Sequence, residues 1–72
     1  MNPAEVKILR QFRFYRLRSN EMLFFNRSLA KPHLPEFTRA IQTLVERGLL
    51  VKERHQDAYS LTMLGFQASI SA

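Results

Sequence analysis

One change of period constrains what this 72-residue chain can fold into. From Phe37 onward, apolar residues recur at Ala40, Ile41, Leu44 and Val45, the spacing of a helix that buries one face. Pro35 suits the first turn of that helix, where its missing N–H costs nothing, and Gly48 suits the left-handed residue just past the end. After Gly48 the period drops to about two, with Leu49, Val51, Tyr59 and Leu61 on alternate positions. The polar run Arg54-His55-Gln56-Asp57 between them reads as a turn. Residues 35–62 are therefore a helix over 35–47 feeding a β-hairpin, and both must share one core.

The flanking sequence supplies the rest of that core. Asn2 can cap a helix over 3–15, with Pro3 in its first turn and Glu5 in reach to close a capping box. Val6, Ile8, Leu9, Phe12 and Tyr15 form its apolar face. Arg16-Leu17-Arg18 is expected as a short strand, followed by a second helix over 20–29 capped by Ser19 or Asn20. Two prolines, Pro32 and Pro35, make residues 30–35 a stiff turn. Thr62 can cap a last short helix over 63–70, from which Leu64, Phe66 and Ile70 return to the core, and Gly65 can permit close packing. The expected class is mainly α with a small β-hairpin, α+β, as one domain over 1–72.

Helix, glycine, strand, basic turn and strand, in that order, resemble the second half of a winged helix-turn-helix domain with a MarR-like core. The matching residues are Ala40-Ile41, then Leu44-Val45-Glu46-Arg47-Gly48-Leu49-Leu50, then Tyr59-Ser60-Leu61-Thr62 and Gly65. The resemblance covers roughly residues 20–66. It implies a three-helix core plus wing and a short C-terminal helix, with the helix over 35–47 entering the major groove and the turn forming the wing. MarR-like wings carry an aspartate that braces a following arginine; here Arg54 precedes Asp57, so that brace is not carried over. The terminal helices that such regulators use for dimerisation and effector binding have no room here, so no small-molecule effector is inferred.

Charge agrees with a polyanionic partner. Eleven lysines and arginines against six acidic residues leave a net charge of +5, which favours nucleic acid through a salt-sensitive attraction. No cysteine is present to brace the chain or bind zinc. The longest apolar run, residues 22–25, is far too short to cross a bilayer. No charged-then-apolar signal pattern opens the chain, and the expectation is a cytoplasmic protein without membrane partners.

Catalysis needs convergent acid–base or nucleophilic groups. The six carboxylates are scattered, and His33 and His55 fall in turns without a second ligand at suitable spacing. The only glycines are Gly48 and Gly65, so no phosphate-cradling loop exists. The expectation is a protein that is not an enzyme and takes no cofactor or metal.

The outward face of the helix over 35–47 carries the sharper reading. Stepping 100° per residue from Phe37 turns Arg39, Gln42, Thr43 and Glu46 outward, with Thr38 at the flank. Arginine can donate twice to guanine and glutamine can pair with adenine. Thr38 and Thr43 can reach a phosphate or a thymine methyl. Glu46 opposes phosphate unless it accepts from cytosine or pairs with Arg47 or Arg39. Lys52, Arg54 and His55 at the wing, with Lys31 and His33 ahead of the helix, are candidates for backbone contact. The plain alternative for this face is the solvated side of an amphipathic helix. Lys7, Arg10, Arg13, Arg16 and Arg18 likewise read as a phosphate patch or as long stems shielding apolar surface.

The partner expected first is duplex DNA, bound by a small transcriptional regulator that works as a homodimer. Phe14, Phe24 and Phe25 are candidates for the dimer or partner contact. The alternative is a winged helix serving as a protein-interaction module through the apolar surface around 22–25. An RNA-binding role for the first helix has no aromatic-interleaved platform behind it.

Overall fold

The computed structural model describes residues 1–25 and 35–72. Over these the order is α1 (Pro3–Phe14), β1 (Met22–Phe24), α2 (Pro35–Glu46), β2 (Leu50–Lys52), β3 (Ala58–Leu61) and α3 (Met63–Ser71). The class is α+β, with α2 and α3 against an antiparallel sheet of strand order β1-β3-β2 and α1 packed chiefly on those two helices. Residues 26–29 of the expected second helix, and residues 30–34 of the expected turn, lie outside the described residues.

α1 starts as the sequence requires: the Glu5 N–H donates to Asn2 Oδ1 at 2.9 Å, satisfying one of the helix's orphan donors. Its end differs from expectation. Arg16 takes a left-handed φ of 56°, its N–H donates to the Arg13 carbonyl, and the Leu17 N–H reaches the Phe12 carbonyl, both at 2.9 Å. This pairing closes a helix and favours glycine at the left-handed position. Residues 16–18 are thus the exit of α1 and not a strand. Arg16→Gly should raise stability by about 1 kcal/mol, measured by urea denaturation, because it removes the Cβ that disfavours this backbone.

The strand comes later, where helix was expected over 20–25. Asn20 is also left-handed, φ 70°, and neither it nor Ser19 caps a helix. The Asn20 N–H donates to the Leu61 carbonyl at 2.7 Å, and the Leu61 N–H returns to the Glu21 carbonyl at 3.1 Å. β1 then pairs Met22 with Ser60, Leu23 with Tyr59 and Phe24 with Ala58. Four consecutive apolar residues satisfy a helix or a strand equally; the open edge of β3 decides between them by offering partners for the backbone. Alternation turns Leu23 and Phe25 inward and leaves Met22 and Phe24 exposed. Phe25 is fully buried, its ring 5.6 Å from Phe12 and 5.8 Å from Tyr59. It belongs to the core that joins α1 to the sheet, so the partner contact expected of Phe25 is corrected; Phe14 and Phe24 remain on the surface.

The junction from α2 to the hairpin follows expectation. Gly48 has φ 77°, its N–H donates to Val45 at 3.0 Å, and the Leu49 N–H donates to Leu44 at 2.9 Å. Leu44 and Leu49 are both buried, the apolar contact that accompanies this termination. β2 pairs with β3 through Leu50–Leu61, Val51–Ser60 and Lys52–Tyr59.

Thr62 locks α3 onto this junction. Its N–H donates to the Leu49 carbonyl at 3.1 Å and its hydroxyl donates to the Gly48 carbonyl at 2.6 Å. The same hydroxyl accepts from the Gly65 N–H at 3.0 Å, capping α3. The inward face of α3 holds Gly65, Phe66, Ala68 and Ser69. Leu64 and Ile70, expected in the core, instead stand 57% and 49% exposed, because the small residues set the side that presses inward.

Candidate nucleic-acid interface

α2 is held on its inner side by Phe37, Ala40, Ile41 and Leu44, all buried. Thr38, Arg39, Gln42 and Glu46 are exposed. A groove of about 310 Å³ flanks this ridge on the α1 side, lined by Asn2, Pro3, Ala4, Glu36, Arg39, Ala40 and Thr43. A second of about 310 Å³ lies on the hairpin side, between Gln42, Val45, Glu46 and the pair Lys52–Tyr59. Arg39 and Gln42 therefore stand on a ridge bordered by two depressions, a shape that a concave polyanion can straddle.

The remaining residues expected at this face behave differently. Thr43 is half-buried and its hydroxyl donates to the Arg39 carbonyl at 3.1 Å, so its donor is turned back onto the helix. Arg47 does not neutralise Glu46; its Nη1 lies 3.5 Å from Glu5 Oε1, and the Glu5 side chain is nearly buried. That pair ties the end of α2 to the start of α1. Nothing in the local sequence signals it, since the partners are 42 residues apart. Lys7 is likewise drawn over the Phe37 ring, 5.6 Å from its centre, which favours the stem-and-ring role over a phosphate contact for this residue.

At the hairpin tip, Arg54 and His55 are exposed. Lys52, expected to touch a DNA backbone, folds back: its ammonium donates to the Glu53 carbonyl at 2.8 Å and the His55 carbonyl at 3.0 Å, and sits 5.4 Å over the Tyr59 ring. It braces the turn, while Arg54 stands exposed at the tip. The His55 ring lies 5.9 Å from that of Phe24, linking the tip to β1. Asp57 closes the turn in a left-handed conformation, φ 59°, which aspartate tolerates better than most side chains. Burial, with the Asp57 charge second, pushes the Tyr59 phenol above its ordinary range, so it stays neutral beside Lys52.

Lys31 and His33 lie outside the described residues. Among the described residues no group of His, Asp and Glu is placed to hold a metal ion, and no helix is long and apolar enough to cross a membrane. Comparison with protein-family models, curated proteins and solved structures finds no match. The functional reading accordingly stands on this chain's own residues.

Proposed function

We propose that this chain is a winged-helix DNA-binding protein, acting in transcription regulation, that sets the outer ridge of α2 in the major groove of duplex DNA. Arg39 and Gln42 read base edges, Thr38 supports them, and Arg54 with His55 rests on the backbone from the hairpin tip. The observation that carries the reading is the placement of α2. It precedes a hairpin whose second strand also pairs with a strand that follows the first helix, and its polar ridge is left uncovered. The resemblance implies a helix followed by a wing in this order, while the second core helix it also implies falls partly on β1 and partly outside the described residues. The reading makes the chain a binding protein and not an enzyme, and it needs no cofactor.

Titration of a random-sequence duplex at two salt concentrations tests it. With about two phosphate contacts, from Arg54 and His55, affinity falls on the order of tenfold between roughly 50 and 200 mM salt. No binding at the lower salt would remove the proposal.

A second reading has its own observation. Met22, Val51 and Phe24 share the outer face of the sheet, with Met22 and Val51 both opposite Ser60, and all three are exposed. Such an apolar stripe suits a protein partner or a second copy of this chain. Phe24→Ser would then break an assembly while leaving DNA binding intact.

A further inference from the structure

The end of α1 and the α3 helix enclose a groove of about 460 Å³, lined by Arg13, Arg16, Leu17, Arg18, Phe66, Ser69 and Ile70. Its lining joins three apolar side chains, Leu17, Phe66 and Ile70, to three arginines and the hydroxyl-bearing Ser69. Among the described residues no carboxylate forms an ion pair with these guanidinium groups, although the Glu21 carboxylate accepts the Arg18 backbone N–H. Beside the groove, Met63 and Leu64 are exposed together with Ile70, and residues 63–72 include no charged side chain. The outward side of α3 thus exposes three large apolar side chains beside the polar Gln67 and Ser71, more apolar surface than a solvated helix face ordinarily shows.

We propose that this groove docks an acidic segment of a partner protein, a stretch in which large apolar side chains alternate with glutamate or aspartate. The apolar side chains pack against Leu17, Phe66 and Ile70. The carboxylates pair with Arg13, Arg16 and Arg18, whose planar forks donate two N–H bonds to each carboxylate. Charge decides against a second copy of this chain as the occupant. A symmetric contact here would set the three arginines against their own counterparts in a molecule of net charge +5. The apolar part of the lining decides against bare phosphate, which would gain nothing from Phe66 or Ile70.

The test uses the full chain and a fluorescein-labelled peptide of Glu-Glu-Leu-Phe repeats, with polyglutamate of equal charge and phosphatidylglycerol vesicles as competing probes. The mixed peptide should bind at least about tenfold more tightly than polyglutamate. Arg16→Gly should weaken it by about tenfold, although the same change stabilises the fold by relieving the left-handed backbone. Ile70→Ser, at an exposed position, should weaken it by a similar factor. Arg39→Ala with Gln42→Ala should leave it unchanged, which separates this groove from the DNA reading. Equal affinity for polyglutamate, indifference to Arg16→Gly and Ile70→Ser, vesicle binding that displaces the peptide, or a stable dimer broken by Ile70→Ser would each overturn the proposal.

Discussion

Gly65→Ala is expected to destabilise the domain by about 3 kcal/mol, a large share of what a chain of this size possesses. A Cβ at that position would lie 1.9 Å from the Leu49 carbonyl oxygen and 2.9 Å from its carbon. Both are backbone atoms that cannot swing aside, since the same carbonyl accepts the Thr62 N–H. The helix would have to lift away, breaking the Thr62 bonds to the Gly48–Leu49 turn and opening the core behind Leu61. Gly48→Ala provides the contrast. Nothing lies within 4 Å of the added carbon there, so its cost is the left-handed backbone alone, about 1–2 kcal/mol. Urea denaturation of both variants measures the order. Gly65→Ala no worse than Gly48→Ala would mean that α3 does not press on the turn.

Arg39→Ala combined with Gln42→Ala is expected to reduce affinity for a cognate duplex by roughly thirtyfold or more, since each base contact is worth ~1–3 kcal/mol. Helical content should not fall, because both side chains are exposed and alanine is the better helix former. Arg47→Ala should behave in the opposite sense. Its guanidinium serves the Glu5 carboxylate, and its loss leaves a buried charge unpaired, which costs stability before it costs binding. A double variant that binds duplex DNA as tightly as the parent would take the base-reading role from α2.

The parts of the fold legible in the sequence are those fixed by local pattern. Five apolar residues at helical spacing, Pro35 before them and Gly48 after them place α2 to within a residue, and the switch to alternation places the hairpin. Asn2 and Thr62 cap the helices expected of them. What the sequence could not resolve depended on distant partners. Met22 to Phe25 fit two periods, and only the free edge of β3 made them a strand. The burial of Phe25 and the exposure of Leu64 and Ile70 followed from which neighbour each element met. At the site, the outward turn of Arg39 and Gln42 was readable from periodicity. The inward fold of Lys52 and the Glu5–Arg47 pair were not, because each requires a carbonyl or carboxylate brought close by the tertiary fold.

The most direct test of the proposed DNA contact is backbone amide shift mapping of the isotope-labelled chain during titration with a random-sequence duplex. The expected result is a set of salt-sensitive shifts at Thr38, Arg39 and Gln42 and at Arg54 and His55 on the hairpin tip. Shifts confined to Arg13, Arg16, Arg18 and α3, with the α2 ridge silent, would contradict it.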